Sequence, residues 1–375
     1  MKIIVLGAGM VGSAIAADLK PDYNVCCADI NPEALKIISN KYKIKTLECD
    51  FSNLRQVKKI IEPFDLMVGA VPGFLGFDVL KTVIESGKNV VDISFFPEEA
   101  FELDALARDK NVTAIVDCGV APGLCNMMLG YENNLMNIRS YECLVGGLPV
   151  KPEPPYNYKA PFSPADVIEE YVRPARYVKN KKIVVKEALS EIEAVHFDEC
   201  GLLEAFNTDG LRSLILTMSH IPEMKEKTLR YPGHALLMRT FRESGFFDKQ
   251  KLKVKGGKIS PLDVFSKLLF EKWKYNNGEE DFTTMRVAVR GKSKGKSKKI
   301  VYSLFDKYDR KTQTMSMART TGYTCTAAAR LVIEKKYKVA GISPPEFIGA
   351  DEECFNYVLN YLAERNVKVK KTMIG

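Results

Sequence analysis

The sequence predicts an α/β protein of two domains, in which a doubly wound parallel sheet is followed by an α+β domain with a mostly antiparallel sheet. Three observations support this fold class. Short apolar runs alternate six times with helical segments between Lys2 and Asp117, which is the pattern of a parallel sheet with helices on both faces. Beyond Gly123 the apolar runs follow one another with few helices between them. The 375 residues are enough for two separate cores.

The first thirty residues carry the strongest local signal. Lys2–Leu6 is an apolar, β-branched run that predicts a buried strand, and it leads directly into the glycine-rich segment at residues 7–12. An alanine-rich helix is predicted over 13–20, and a second strand over 25–28 ends at Asp29. Strand, glycine loop, helix, strand and acid therefore occur in the order and at the spacing of a Rossmann-type dinucleotide-binding unit.

Each residue of the glycine loop has a mechanical role in such a unit. Gly7 permits a tight turn, Gly9 lets the backbone approach a pyrophosphate, and Gly12 allows the helix to pack closely on the strand. The helix begins near Met10 and Val11, where unpaired N–H groups and the positive end of the helix dipole face the phosphates. We expect these five residues to contact the cofactor. The alternative is a doubly wound domain that keeps the glycines for packing alone.

Two acidic residues bear on the choice of cofactor. Asp29, at the end of the second strand, is placed to accept hydrogen bonds from the adenosine ribose hydroxyls, and it would repel a 2′-phosphate. This predicts NAD rather than NADP. Asp50 follows the third strand and either hydrogen-bonds the adenine edge or caps its own turn, which extends to Asn53.

The remaining elements complete the parallel sheet. Strands are predicted over 45–50, 65–71, 89–93 and 112–117, and helices over 32–41, 54–61, 76–86 and 97–109. The loop after the fourth strand should pass under the nicotinamide ribose, so Ala70, Val71 and Pro72 are predicted to line the cofactor. Ligands bind at the carboxyl ends of such strands, where Asp92 and the turn at 118–123 also fall.

The second half of the chain predicts mainly strands. These lie over 141–146, 182–186, 203–207, 214–218, 287–289 and 299–305, with helices over 126–131, 234–243, 261–273, 318–330 and 351–365. We expect the last two helices to return to the first domain. The predicted domains are residues 1–124, completed by 318–375, and a substrate-binding and dimerisation domain over 125–317.

Composition and charge exclude several classes of protein. With 46% hydrophobic and 27% charged residues, and without a run of eighteen apolar residues, the chain is predicted to lack a membrane span. Much of the net charge of +8 comes from five lysines in residues 291–299, where Gly and Ser predict a solvated hairpin tip rather than a nucleic-acid surface. Met1-Lys2 leads directly into a strand, so no signal peptide is expected.

The nine cysteines are predicted to be free thiols. Their number is odd and their spacing irregular, and most lie in apolar runs. No CxxC pair or Cys/His cluster is present, so neither a zinc site nor a disulfide framework is predicted. Buried thiols in a reducing cytoplasm are expected instead.

Several motifs resemble those of the saccharopine dehydrogenase family. They are Gly146–Pro149, Phe162–Pro164, Thr228–His234 and the helix at Ala318–Arg330. The resemblance spans nearly the whole chain, and the string Thr-Leu-Arg-Tyr-Pro-Gly is specific. Two-domain length and the acidic Asp29 are most similar to the lysine 6-dehydrogenases of this family. Many saccharopine reductases carry Asp where this chain has Ala121, so that carboxylate is missing here.

The resemblance implies an activity and an assembly. The implied reaction is NAD-dependent oxidative deamination of L-lysine at its ε-carbon, which gives 2-aminoadipate 6-semialdehyde and, by cyclisation, piperideine-6-carboxylate. A homodimer joined through the second-domain sheet is also implied. The alternatives are a saccharopine or carboxynorspermidine dehydrogenase, and a catalytically idle NAD-sensing or assembly protein.

Hydride loss from a carbon that bears nitrogen requires a neutral amine. Because the lysine ammonium has a pKa of about 10.4, a general base or a desolvated pocket is needed. His234, where a turn enters a helix, is the first candidate for that base or for a polar contact with the substrate, and the alternative is a histidine hydrogen-bonded to the backbone. Asp92 is the second candidate, and its alternative role is to cap the turn that follows it.

The α-carboxylate of an amino acid is best recognised by a guanidinium. Arg212, Arg230 and Arg319 are the candidates, although a surface ion pair is the commoner role of an arginine. Hydroxyl donors and ammonium-binding acids complete the predicted substrate site, namely Thr228, Thr320, Tyr231, Glu204 and Asp209.

Overall fold

A computed structural model describes residues 1–276 and 278–374, and the chain folds into two units. The first unit comprises residues 1–135 and 317–368, and the second comprises residues 136–316 together with the final strand. The predicted boundary at residue 124 therefore falls too early, because the helix that begins there belongs to the first unit. The predicted return of the whole segment 318–375 is also corrected, since its last strand joins the second sheet.

The secondary structure alternates first and then becomes strand-rich. The strands are β1 Lys2–Leu6, β2 Asn24–Asp29, β3 Lys45–Glu48, β4 Leu66–Gly69, β5 Asn89–Asp92, β6 Thr113–Ile115, β7 Asn137–Pro149, β8 Ala175–Lys179, β9 Lys182–Lys186, β10 Glu193–Phe197, β11 Gly201–Asn207, β12 Glu223–Arg230, β13 Leu252–Val254, β14 Gly257–Ile259, β15 Asp281–Ser293, β16 Lys296–Lys307, β17 Gly341–Ser343 and β18 Val369–Ile374. The helices are α1 Met10–Leu19, α2 Pro32–Tyr42, α3 Leu54–Ile61, α4 Gly73–Glu85, α5 Asp104–Asp109, α6 Leu124–Leu135, α7 Pro164–Val172, α8 Leu214–Thr217, α9 His234–Glu243, α10 Pro261–Trp273, α11 Ser316–Ile333, α12 Pro345–Ala350 and α13 Glu352–Glu364, with a 3₁₀ turn at Ala100–Leu103.

The first unit contains the predicted parallel sheet. Its order is β3-β2-β1-β4-β5-β6-β17, and every neighbouring pair is parallel. The predicted doubly wound parallel sheet of six strands is thus confirmed, and a seventh strand extends it. Residues 3–6 of β1 are fully buried, because helices cover both faces of such a sheet. Strand β17 is only three residues long, too short to produce a sequence pattern.

The second unit is built on a larger, mostly antiparallel sheet. Its main path is β10-β11-β12-β7-β15-β16-β18, with β8 and β9 attached beside β12. One pair on this path, β12 and β7, is parallel. Apolar side chains from the sheet and from α7, α9 and α10 form one core, which includes Leu144, Tyr171, Phe206, Met238 and Trp273. The predicted α+β architecture is therefore confirmed.

The lysine-rich segment forms the tip of a long hairpin, as predicted. Strands β15 and β16 pair antiparallel from Phe282 opposite Lys307 to Ser293 opposite Lys296. The turn consists of Lys294 and Gly295, both with positive φ, and the tip residues are largely exposed.

Other element predictions need correction. Residues 214–218 are not a strand but the short helix α8, because this apolar run lies between tight turns rather than beside another strand. Strand β12 was not predicted, since its charged and polar residues obscure the alternation. Among the residues with assigned structure, no helix combines the length and apolar character that a bilayer crossing requires.

Candidate functional site

The glycine loop between β1 and α1 is closed by two backbone contacts. Gly7 has φ +119°, and a Cβ there would lie 2.2 Å from the carbonyl oxygen of Ala70. A Cβ on Gly12 would lie 2.1 Å from the carbonyl oxygen of Gly7. Both distances are too short for two non-bonded atoms, so a side chain at either position would force the backbone to shift. Both positions therefore require glycine for the fold itself.

Gly9 has more open space around it than Gly7 and Gly12 have. A Cβ on Gly9 would meet no atom within 4 Å, and its φ of −66° is open to any residue. Within the described chain no side chain caps α1 at this position, so the first N–H groups of the helix, at Met10 and Val11, remain available. Open space beside unpaired amides is the arrangement that binds a phosphate. The residues present therefore fit the dinucleotide that the sequence predicts.

Asp29 lies at the end of β2 and binds the same loop. Its Oδ2 accepts a hydrogen bond of 2.6 Å from the Ala8 N–H, and its Oδ1 accepts one of 2.8 Å from the Asn31 N–H. The carboxylate thus fixes the glycine loop to the end of β2 and places a negative charge at this edge of the sheet. Its predicted contact with a ribose remains a prediction.

Asp50 makes the contacts of a turn cap. Its Oδ1 accepts hydrogen bonds from the Ser52 N–H at 2.9 Å and from the Ser52 hydroxyl at 2.7 Å. These bonds lower the pKa of the Asp50 carboxyl. The geometry supports the capping alternative, and the adenine contact remains untested.

The loop after β4 lies at the same edge of the parallel sheet as the glycine loop. The Ala70 N–H donates to the Leu6 carbonyl at 2.8 Å, Val71 is buried, and Pro72 precedes α4. In the first unit this brings Ala70 directly against Gly7. The predicted cofactor-lining segment therefore adjoins the glycine loop.

Asp92 is buried and engaged by the turn that follows it. Its two carboxylate oxygens accept hydrogen bonds from the N–H of Ser94 at 2.9 Å and from the Ser94 hydroxyl at 3.0 Å. Gly69 leaves room for this carboxylate, since a Cβ there would lie 1.8 Å from Oδ1. The geometry favours the capping alternative over the general base.

His234 lies in the interior of the second unit. Nδ1 is 2.7 Å from the carbonyl oxygen of Tyr156, and Nε2 is 2.9 Å from the hydroxyl of Tyr171. A carbonyl can only accept, so Nδ1 carries the proton and Nε2 accepts from Tyr171. Burial, together with the positive charge of Arg230, lowers the pKa of His234 to about 3. A buried histidine with a low pKa and hydrogen bonds at both nitrogens is a weak base, so the geometry favours the alternative of a histidine hydrogen-bonded to the backbone, and the role as general base stays a prediction.

Arg230 belongs to the same buried cluster. Its guanidinium donates to Glu170 at 2.8 Å, to the Tyr171 hydroxyl at 3.2 Å and to the Leu229 carbonyl at 2.9 Å. It also lies over the Tyr158 ring, with 4.4 Å to the ring centre. A substrate carboxylate would have to compete with Glu170 for this guanidinium. The geometry therefore does not support the predicted contact between Arg230 and a substrate.

The other predicted substrate contacts are divided between the units. In the second unit the Tyr231 hydroxyl donates to the Pro149 carbonyl at 2.9 Å, and Arg212 is buried with a φ of +51°. Burial and the charge of Arg212 lower the pKa of the neighbouring Arg173. Arg319 lies in the first unit, where it donates to the Arg365 carbonyl at 2.9 Å.

The sequence interpretation missed Glu226. This residue lies on β12 with Thr228 and Arg230 on the same face, and it is 7% exposed. Burial raises the pKa of its carboxyl to about 8, and the negative charges of Glu170 and Asp209 act in the same direction. The alternation Glu-x-Thr-x-Arg was the available signal, because it places three polar side chains on one face of a strand.

No group of three or more His, Cys, Asp or Glu side chains is arranged to hold a metal ion in residues 1–276 and 278–374.

Comparison with family models matches nearly the whole chain. A model described as the saccharopine dehydrogenase NADP binding domain matches residues 3–115, and one described as the saccharopine dehydrogenase C-terminal domain matches residues 119–367.

Two curated relatives illustrate the similarity. Mitochondrial alpha-aminoadipic semialdehyde synthase of Mus musculus is 27% identical over 278 residues, which cover 70% of this chain and 30% of the relative. Saccharopine dehydrogenase (NADP(+), L-glutamate-forming) of Saccharomyces cerevisiae is 24% identical over 260 residues, which cover 65% of this chain and 58% of the relative. The chain thus matches less than two thirds of the length of either relative.

Two solved structures share the fold. Apo saccharopine dehydrogenase (L-Glu forming) from Saccharomyces cerevisiae superposes with a TM-score of 0.79 at 18% identity, covering 100% of both chains. The homospermidine synthase of Legionella pneumophila in complex with NAD has a TM-score of 0.70 at 12% identity, covering 100% of this chain and 91% of that one. At these identities the structures support the fold alone.

Proposed function

Because the chain belongs to the saccharopine dehydrogenase family, whose members are NAD(P)-dependent oxidoreductases acting on CH–NH groups, we propose that it oxidises an amino acid with NAD. The family resemblance inferred from the motifs is thereby confirmed. The first candidate substrate is L-lysine, oxidised at its ε-carbon to 2-aminoadipate 6-semialdehyde. The observation that supports this proposal is the open phosphate site at Gly9 with the Asp29 carboxylate beside it.

Residues of the first unit would hold the cofactor. The N–H groups at the start of α1 bind the pyrophosphate, and Ala70, Val71 and Pro72 line the nicotinamide side. Asp29 favours an unphosphorylated ribose, because a 2′-phosphate would bring two negative charges together. When bound, the nicotinamide ring supplies the hydride acceptor.

The amine must lose its proton before its carbon loses hydride. His234 and Asp92 are both engaged in hydrogen bonds within the protein. We therefore expect solvent to take the ammonium proton, and activity to rise with pH toward the amine pKa of about 10.4. Water then attacks the imine carbon, and release of ammonia leaves the semialdehyde.

A second candidate is the oxidation of saccharopine, a secondary amine with three carboxylates. The half-buried Arg173 and the buried Arg212 support it, because the charge of Arg212 lowers the pKa of Arg173 and a substrate carboxylate would act in the same direction as Asp209, Glu169 and Asp166, which raise it. Carboxynorspermidine, with a single carboxylate and further amino groups, would make less use of such a pair.

The test is reduced-nicotinamide absorbance with L-lysine, saccharopine and L-norleucine, each with NAD and with NADP. Norleucine has the lysine skeleton without the ε-nitrogen, so it is the matched control. Lysine with NAD should give reduced cofactor and norleucine should not. Turnover of saccharopine alone would favour the second candidate. Cofactor binding without turnover of any substrate would favour an NAD-sensing or assembly protein.

We also propose a homodimer through the sheet of the second unit, as the family resemblance implies. Multi-angle light scattering should give twice the chain mass, and a substitution on the exposed edge strand β18 should lower it. A monomer at all working concentrations would contradict this assembly.

A further inference from the structure

Glu226 is a buried carboxyl group on β12. Within residues 1–276 and 278–374 no lysine, arginine or histidine forms an ion pair with it, and its one hydrogen-bond partner is the Thr208 hydroxyl at 2.7 Å. Gly210 packs directly on the carboxyl, since a Cβ there would lie 2.1 Å from Oε2. Burial of a carboxylate without a counter-ion is costly, so the neutral acid is the stable form.

The carboxyl is the end of a short chain of hydroxyl groups. Thr208 Oγ1 lies 2.7 Å from Glu226 Oε2 and 2.9 Å from Thr228 Oγ1. Each hydroxyl has one proton to donate. The proton of Thr208 can therefore serve Glu226 or Thr228, but not both.

The protonation state of Glu226 decides between these two arrangements. When Glu226 is neutral, its O–H donates to Thr208, Thr208 donates to Thr228, and the Thr228 proton is free to donate to a ligand. When Glu226 is ionised, it can only accept, so Thr208 donates to it and Thr228 donates to Thr208. The Thr228 oxygen then has only acceptor capacity left.

We propose that Glu226 is a positioning residue that, through Thr208, makes Thr228 a hydrogen-bond donor to the carboxylate of the amino-acid substrate. This inference rests on the proposed function, because it takes the ligand to be an amino acid. It assigns Glu226 no contact with the reacting atoms.

The surroundings of Glu226 support the neutral form near pH 7. Glu170 of α7 and Asp209, which follows β11, both oppose a negative charge there, and Arg230 of β12 favours one. All three of these charges are already paired, since Arg230 pairs with Glu170 at 2.8 Å and Asp209 pairs with Arg176 at 2.8 Å. Burial is therefore the main cause that raises the pKa of Glu226 to about 8, and the hydroxyl chain reverses as pH rises through that value.

Steady-state kinetics of the wild type, Glu226→Gln and Thr208→Val across pH test the relay. A glutamine amide donates to Thr208 at every pH, so Glu226→Gln should keep the neutral-form arrangement. We expect its substrate KM to equal that of the wild type near pH 7 and to be about tenfold lower above pH 9, the effect of one charge-assisted hydrogen bond. Thr208→Val removes the hydroxyl that accepts the Thr228 proton when Glu226 is ionised, so its KM should match the wild type near pH 7 and, unlike that of the wild type, should not rise above pH 9.

If the ratio of the wild-type KM to the Glu226→Gln KM does not change with pH, the relay is overturned while the proposed function stays intact. A second measurement covers the case in which no amino acid is turned over. Infrared spectra of the ¹³C-glutamate-labelled protein should contain a protonated carboxyl band near pH 7 that is lost above pH 9 and is absent from Glu226→Gln. Absence of that band from the wild type would refute the inference, whatever the substrate.

Discussion

The guanidinium of Arg230 donates a hydrogen bond of 2.8 Å to the carboxylate of Glu170, and only 3% of the arginine side chain is exposed. The pair joins α7 to β12 inside the second unit. Since the same arginine also binds Tyr171 and the Leu229 carbonyl, its first role is to complete the interior. Removal of one partner would leave an uncompensated charge in a buried position.

This pair makes a stability prediction. Arg230→Met should lower the free energy of unfolding by about 3–5 kcal/mol, because it leaves Glu170 without its counter-ion. The double variant Arg230→Met with Glu170→Met should recover a large part of that loss. Urea denaturation measures both. The control is Arg310→Met, which breaks an ion pair with Glu280 in which the arginine is 82% exposed and should cost less than about 1 kcal/mol.

His234 predicts how stability depends on pH in the acid range. Its pKa is about 3 in the folded protein and about 6.5 in the unfolded chain. Between pH 6.5 and 3 the unfolded chain binds a proton at this histidine and the native state does not. The free energy of unfolding therefore falls as pH drops from 6.5 toward 3, by about 1.4 kcal/mol per pH unit.

The variant His234→Asn removes this contribution to the pH dependence of stability. It should be less stable near pH 7, because it changes two buried hydrogen bonds, but its stability should fall less steeply with acid. Thermal unfolding between pH 7 and about 4 measures the slopes, and exposed His196→Asn is the control, with a slope like that of the wild type. Equal slopes for the wild type and His234→Asn would show that the histidine titrates normally.

Asp29 predicts the selectivity for the dinucleotide. Asp29→Asn removes the negative charge while keeping one acceptor oxygen for the Ala8 or Asn31 N–H. We expect NAD affinity to fall about tenfold and NADP affinity to fall less, because the repulsion of a 2′-phosphate is lost. Fluorescence titration with NADH and NADPH measures both. Asp50→Asn is the control, and a change in its NADH affinity would support the adenine contact instead.

The sequence was informative wherever the signal was local. Gly12 and Asp29 act on residues of one β-α-β unit, so spacing alone was enough to predict their positions. His234 and Glu226 differ, because their properties come from groups far away in the chain, such as Tyr156 and Tyr171 around the histidine. Spacing does not report such burial. For this reason His234 was interpreted as a base, and Glu226 was not noticed.

Long-range contacts also account for the strands that were not predicted. Strand β12 carries three lysine or arginine residues and two glutamates, and their pairing is visible only once the neighbouring strands are in place. Strand β18 lies at the end of the chain beside β16, a distance in sequence of more than sixty residues. Long-range pairing of this kind has no local pattern to predict it.

The central claim is that the glycine loop is a dinucleotide site, and Gly9→Ala tests it most directly against Gly12→Ala. A methyl group at residue 12 would meet the Gly7 carbonyl and destabilise the fold, whereas at residue 9 it meets no protein atom and would occupy the space of the phosphates. Calorimetric titration with NAD should therefore find wild-type binding and a loss of tenfold or more, or about 1.4 kcal/mol, in a Gly9→Ala protein that unfolds at the wild-type temperature. Undiminished NAD binding by that variant, or no binding by the wild type, would contradict the account.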